Sequence, residues 1–184
     1  MEVMQKKMRK QKFRRHCLEQ LKKSSRTGRY AKDKKVLSVL HRIISEMNAR
    51  TVMLYLPLAT EVNLYPLVKV LRREKRQLYV PFMEGKSFRL VKYRYPLETK
   101  QFGIKEPKNS KQYRNKEIDI AIVPIVGVDL TYRRVGFGKG MYDRFFEKEM
   151  KNIKKTVFVA RHLCFSSQIV TDSYDVRADM IIVP

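Results

Sequence analysis

The chain has 184 residues, 43% of them apolar, enough for one folded domain with its own core and too many for a disordered segment. Its 41 Lys and Arg against 18 acidic residues leave a net charge of +23, which favours anionic ligands or surfaces without choosing among them. No apolar run reaches the roughly 18 residues of a membrane span, and the basic N-terminus lacks the apolar core of a secretory signal.

The first predicted element is a strongly basic helix over residues 3–23, with Phe13, Cys17 and Leu21 as its apolar stripe. Ser24, Ser25, Thr27 and Gly28 end it. A second helix is expected over 29–47, with Val36, Leu40, Ile43, Ile44 and Met47 on one face. Residues 51–56 (T-V-M-L-Y-L) read as the first core strand. A loop carrying Glu61 follows, and then a helix with Leu64, Leu67, Val68 and Leu71. In that loop an acid next to a helix start is favoured by the helix dipole, and the residues alone ask no more of Glu61.

Residues 77–81 and 87–93 are two further strands. The strand–helix–strand order from 51 to 82 predicts parallel pairing through a right-handed crossover. Residues 93–116 are polar, hold Pro96 and Pro107, and are expected to form a long surface connection. Strands over 156–160 and 180–183 close the chain. Cys17 and Cys164 are far apart and follow no metal spacing, as expected of a reducing cytosol, so the protein is expected to be cytoplasmic. His16, His41 and His162 are scattered, and no transition-metal site is expected.

The most informative stretch lies between. Residues 118–123 form an apolar run with one Asp inside it, a buried strand that stops at Pro124. Gly127 and Asp129 suit a turn. Gly136, Gly138 and Gly140 then alternate with other residues, Arg134 stands before them and Lys139 between them. Met141, Phe145 and Glu149 follow at helical spacing. Such a glycine loop lets backbone approach a ligand, and the helix start offers free N–H groups to a phosphate. Arg134 and Lys139 add cations for phosphoryl oxygens, and Asp143 is a candidate magnesium ligand shared with phosphates. The spacing is neither that of a Walker A loop nor that of the dinucleotide fingerprint.

The run R-R-V-G-F-G-K-G-M-Y-D resembles the signature of the 5-formyltetrahydrofolate cyclo-ligase family, usually R-L-G-x-G-x-G-Y-Y-D. The likeness extends from Lys10 to Val183 with its elements in the family's order. It implies a single domain over residues 1–184, an α/β three-layer open sheet, mostly parallel, with helices on both faces and a basic N-terminal helix. It also implies a ligase of one-carbon metabolism: MgATP-driven closure of 5-formyltetrahydrofolate to 5,10-methenyltetrahydrofolate. By that resemblance Lys10 and Arg14 fit the N-terminal ATP element, with Lys6 or Lys7 before Arg9 as the other register. ATP would be held by these two with Arg134, Gly136, Gly138, Lys139, Gly140, Met141 and Tyr142. Arg134 and Lys139 would be the catalytic cations, Asp143 the magnesium ligand, and Leu56, Glu61 and Tyr142 the folate contacts. A carboxylate suits the pterin, whose N–H edge offers it two donors.

F-G-I-K-E-P resembles the family's G-I-x-E-P and is given no chemistry. The C-terminal Y-D-V-R-A-D-M-I-I-V places Tyr174 where the family has His. Asp175 and Asp179 in that run read as structural before catalytic. Three departures bear on the substrate: Met141 replaces the first of the paired tyrosines, Tyr132 stands where Gly is frequent, and Phe137 where a basic residue occurs. Two other classes compete. One is a basic nucleic-acid-binding protein, against which stands the absence of any RNP-type or GXXG signature. The other is a different ATP-dependent ligase or kinase on the same scaffold. The leading reading expects small-molecule substrates, a monomer, no membrane and no dedicated nucleic-acid partner.

Overall fold

The computed structural model describes residues 2–100, 103–108 and 117–184. Helix α1 (Glu2–Arg26) runs through Ser24 and Ser25 and breaks only at Thr27 and Gly28, three residues later than expected. Gly28 takes the left-handed conformation (φ 63°) that turns the chain into α2 (Arg29–Glu46). Val36, Leu40, Ile43 and Ile44 of α2 are buried as their spacing predicts, while Met47 caps the helix and stays exposed.

A sheet of six strands forms the middle layer: β1 (Thr51–Met53), β2 (Gln77–Glu84), β3 (Ser87–Lys92), β6 (Ile120–Pro124), β9 (Thr156–Val159) and β11 (Met180–Ile182). Their order across the sheet is β11-β9-β6-β1-β2-β3, parallel throughout except for the β2–β3 hairpin. The strand predicted over 51–56 pairs only to Met53. Beyond it Leu54 donates one more bond to the Tyr79 carbonyl (2.8 Å), and the buried chain peels away from the sheet.

Alternation along the strands sorts side chains to two faces. Val52, Leu54, Ile120, Ile122, Val157 and Val159 pack with α2 and with α3 (Tyr65–Arg73). Met53, Ala121, Val123 and Phe158 pack on the opposite face with Cys17 and Leu21 of α1 and with Phe145 and Phe146 of α4 (Met141–Glu149). The three-layer architecture expected from the sequence is therefore present.

Three expectations change. Residues 93–116 are not a plain connection: β4 (Leu97–Thr99) and β5 (Lys105–Pro107) form an antiparallel ribbon in them, and residues 101–102 and 109–116 lie outside the described residues. Buried Glu106 fastens this ribbon to the sheet by accepting the Met83 N–H (2.9 Å). Second, Gly127 and Asp129 form a short strand, not a turn. This β7 (Gly127–Asp129) lies between β8 (Arg134–Val135) and β10 (Phe165–Ser166). Asp129 is fully buried and accepts the N–H groups of Val170 (2.9 Å) and Thr171 (2.8 Å) as well as the Thr171 hydroxyl (2.7 Å). Burial alone would raise its pKa, but hydrogen bonds from Thr131 and Thr171 outweigh it and hold the carboxyl at about 2.

Third, the two cysteines are joined. Cys17 of α1 and Cys164, in the segment after β9, form a disulfide across 147 residues of chain. Their distance in sequence had suggested separate thiols. A crossover packed on one sheet face instead sets them side by side, next to Gly127, where a Cβ would lie 3.0 Å from the Cys17 sulfur.

Candidate active site

Chain order reverses beside β1: β2 lies on one side of it and β6 on the other. In open α/β sheets the crevice at the carboxyl ends of strands flanking such a switch is where ligands bind. Two loops border it here, residues 54–64 after β1 and residues 125–140 after β6. One space lies between them, and a second lies across the glycine loop against α1.

The first is a cavity of about 270 Å³ lined by Tyr55, Leu56, Glu61, Phe88, Arg134 and Tyr142, with Phe137, Lys139, Gly140 and Met141 at its rim. Its walls are mainly apolar and aromatic. Phe88 meets Tyr142 edge-on at 4.9 Å and stacks on Phe145 at 4.4 Å. Glu61 and Arg134 are the opposed charges. Glu61 accepts the Leu58 N–H (2.7 Å), and burial pushes its carboxyl up to about 7, against the pull of that bond and of Arg134 and Arg161. Arg134 is 4% exposed. Its Nε donates to the Pro124 carbonyl (3.0 Å), its guanidinium lies 4.7 Å from the Tyr142 ring centroid, and Nη1 is 3.9 Å from Asp143 Oδ1. Burial lowers the pKa of Arg134 and raises that of the Tyr142 hydroxyl.

The second space is an open cleft of about 640 Å³ between α1 and the glycine loop, lined by Lys6, Lys7, Lys10, Arg14, Gly138 and Tyr174 among others. Arg14 Nε donates to the Gly136 carbonyl (2.8 Å). Lys10 pairs with Asp175 and stands 3.6 Å from Asp172, while Lys6 reaches Asp172 at 2.9 Å. Lys10 and Arg14 thus face the loop together. Arg9, the arginine of the other register, is exposed on the outer side of α1. Asp175 also accepts the Asp172 N–H (2.7 Å), and Asp179 accepts the Thr156 N–H (2.7 Å) at the start of β9. Both aspartates therefore hold backbone in place. Tyr174 lies over Lys10, whose Nζ is 5.7 Å from the ring centroid, and its hydroxyl donates to Asp172 (3.0 Å).

Between the two spaces the loop is shaped by its glycines. A side chain at Gly136 would collide with the Arg134 guanidinium. Gly140, at φ 63°, precedes α4 in a left-handed conformation, and a Cβ there would come 2.9 Å from Arg144 Nη1. Arg144 in turn donates to the Lys86 carbonyl, tying α4 to the β2–β3 turn. Asp143 lies in the first turn of α4, and its Oδ1 is buried without a hydrogen-bond partner. Among the described residues no group of three His, Cys, Asp or Glu side chains gathers around it or elsewhere. A carboxylate oxygen without a hydrogen bond, beside a glycine loop and 3.9 Å from Arg134, fits magnesium as one of the one or two protein carboxylates that ion takes.

Sequence reasoning passed over several residues of these two spaces. Tyr55, Ile104 and Lys105 line the cavity, and Asp172 orders the cations of α1. Ile104 and Lys105 belong to the F-G-I-K-E-P run, a motif that had been given no chemistry.

The fold and paired spaces define an α/β enzyme with an apolar pocket and a cationic, glycine-walled cleft at the switch point of its sheet. The model of the 5-formyltetrahydrofolate cyclo-ligase family matches residues 6–184, and the chain belongs to that family. A 5-formyltetrahydrofolate cyclo-ligase from Haemophilus influenzae is 29% identical over 152 residues, covering 77% of this chain and 79% of the relative. The NMR structure of 5,10-methenyltetrahydrofolate synthetase from Aquifex aeolicus superposes with a TM-score of 0.73 at 30% identity, over 95% of this chain and 88% of that one. A Mycoplasma pneumoniae 5,10-methenyltetrahydrofolate synthetase shares the fold at 21% identity (TM-score 0.70, 95% of this chain and 98% of that one). Among the described residues no helix is long and apolar enough to cross a membrane.

Proposed function

We propose that the chain catalyses the ATP-dependent cyclisation of 5-formyltetrahydrofolate to 5,10-methenyltetrahydrofolate, releasing ADP and phosphate. The observation that carries this reading is the adjacency of the two spaces. An aromatic pocket with a buried carboxylate and a cationic cleft share the glycine loop as their wall. A folate ring in one and a triphosphate in the other would meet across that loop.

The formyl oxygen is a poor leaving group, so it first attacks the γ-phosphorus as the bond to the ADP oxygen breaks. Nitrogen 10 then adds to the activated carbon and loses its proton, and the C–O bond breaks to release phosphate. Phosphoryl transfer asks a protein mainly for positioning and for charge stabilisation. Glu61 receives the pterin N–H groups, and Leu56 and Tyr142 pack against the ring. Arg134 and Lys139 stabilise charge on the transferred group. Backbone N–H groups at the start of α4 and the loop from Gly136 to Gly140 cradle the phosphates, with Lys10 and Arg14 closing from α1. Asp143 would hold magnesium, which supplies positive charge to the phosphate oxygens when bound. No covalent protein nucleophile enters. The same reading takes the protein as a monomer acting on small molecules without a nucleic-acid partner. It places the protein in the cytoplasm on the folate reaction alone, since the Cys17–Cys164 bridge removes the argument from separate thiols.

The test is an absorbance assay for the methenyl chromophore, with purified protein, 5-formyltetrahydrofolate and magnesium-ATP. ATP-dependent appearance of that product is expected. No product from protein that binds ATP would overturn the folate reading and leave only the phosphate loop.

A further inference from the structure

The most buried ion pair outside the two spaces is Arg161 with Asp33, and the mechanism above does not use it. Arg161 follows β9 and Asp33 sits in the first turns of α2, 128 residues away in the chain. Their contact is a two-pronged fork: Nε donates to Oδ1 at 2.7 Å and Nη2 to Oδ2 at 2.9 Å. The two residues are 4% and 8% exposed. Buried forks of this kind are costly to desolvate and often give no net stability, so their presence asks for another reason.

That reason lies in what else the pair touches. Arg161 Nη1 donates to the Ala59 carbonyl (2.9 Å) and to the Ser25 hydroxyl oxygen (3.1 Å). Ser25 Oγ donates onward to the Thr60 carbonyl (3.3 Å), and Asp33 Oδ2 accepts the Asn63 N–H (3.3 Å). Backbone on both sides of Glu61 is therefore fastened to one buried cluster. Buried Val62 and Leu64, the Tyr55 hydroxyl on the Val62 carbonyl (2.9 Å) and the Glu61 N–H on the Leu58 carbonyl (3.0 Å) also shape the loop. The Arg161–Asp33 cluster adds its hydrogen bonds to α1 and α2 where the chain has left the β1 ladder at Met53 and has not yet reached α3 at Tyr65.

We infer that Arg161 and Asp33 are positioning residues that hold the Ala59–Asn63 backbone so that the Glu61 carboxylate faces the folate pocket. The inference rests on the folate reading of that pocket. Arg161 also reaches α1 at Ser25, but Lys10 and Arg14 lie about three helical turns or more away and have anchors of their own, Asp175 and the Gly136 carbonyl.

The experiment compares steady-state kinetics of the wild type with Arg161→Met, Arg161→Lys and the Asp33→Leu/Arg161→Met double variant. Wild-type turnover in the same assay tests the folate reading itself, whatever the variants do. With Arg161→Met the KM for 5-formyltetrahydrofolate is expected to rise about tenfold, with the KM for ATP unchanged and kcat within about twofold at saturating folate. Arg161→Lys keeps the charge but not the fork, and is expected to fall between. The double variant removes both charges together. Its melting temperature should recover towards that of the wild type, while its folate KM stays raised.

A second readout separates positioning from mere stability. The charged and titratable groups around Glu61 are Arg134, Arg161, Tyr55 and Tyr142, with Lys105 and Lys139 lining the same cavity and Asp33 beyond Tyr55. Loss of Arg161 removes a cation that favours ionised Glu61, so the pH midpoint of the folate KM should move upward. A folate KM and pH midpoint unchanged in the folded variants would overturn the inference. So would a double variant that regains folate KM together with stability. If Arg161→Met alone does not fold, the lysine and double variants decide.

Discussion

The Arg134 guanidinium lies against the Tyr142 ring at 4.7 Å, and from that position one cation serves two carboxylates. Asp143 is 3.9 Å from it on the side of the glycine loop, and Glu61 feels it across the cavity. A lysine cannot stack, bond the Pro124 carbonyl and reach both acids at once. Arg134→Lys is therefore expected to lower kcat by on the order of 100-fold while the protein still folds, a loss of the size seen when one transition-state donor is removed. Turnover within a few-fold of wild type would remove Arg134 from the chemistry.

Asp143→Asn keeps the shape of the side chain and removes its charge. The expected result is a kcat lowered by on the order of 100-fold, with the magnesium concentration for half-maximal rate shifted upward. A magnesium titration of the variant checks this. An unshifted midpoint would mean that the ion, if used, is held elsewhere.

Glu61 predicts opposite effects on stability and on binding. Its folded carboxyl is raised to about 7 from an ordinary value of 4.5, so between those two values the folded state binds the extra proton. The group's contribution to stability is therefore lost as pH rises from 4.5 through 7. Glu61→Gln should raise stability by up to about 3 kcal/mol at pH 8 and change little at pH 4.5. Its folate KM should be raised above pH 7 and converge with that of the wild type at lower pH. In the wild type that KM should climb as pH falls below about 7, where the carboxylate is neutralised. Paired denaturant melts and pH-dependent KM values measure both arms.

The Cys17–Cys164 bridge ties the helix that carries Lys10 and Arg14 to the end of the sheet. A cross-link over so long a loop restricts the unfolded chain. Reduction is expected to cost about 2–5 kcal/mol of stability and to raise the KM for ATP. Thermal melts with and without reductant, accompanied by thiol counting, test this. Two counted thiols with an unmoved melting temperature would contradict it.

Tyr132 takes a left-handed conformation (φ 56°) and is half exposed, in a turn closed by its N–H donating to the Asp129 carbonyl (2.9 Å). A bulky L-residue there costs roughly 1–2 kcal/mol, partly offset in glycine by its larger unfolded-state entropy. Tyr132→Gly is expected to stabilise the protein by about 0.5–1 kcal/mol with unchanged turnover. A lower denaturation midpoint would argue that the tyrosine ring makes up for the strain.

Much of this protein was legible in the sequence because it depends on neighbours along the chain. The spacing of Val36, Leu40, Ile43 and Ile44 marks a one-sided helix, and the run ending at Pro124 marks a buried strand. Gly136, Gly138 and Gly140 mark a glycine loop leading into α4, since backbone freedom and a helix start are local properties. Tertiary structure decided what depends on the order of strands. It faced Arg134 towards Glu61, turned Arg14 onto the Gly136 carbonyl and Lys10 onto Asp175, joined Cys17 to Cys164, and closed Arg161 on Asp33. Each of those partners lies tens to more than a hundred residues from its mate. Such pairs have no period or motif of their own, because their meeting is set by which side of β1 each crossover takes.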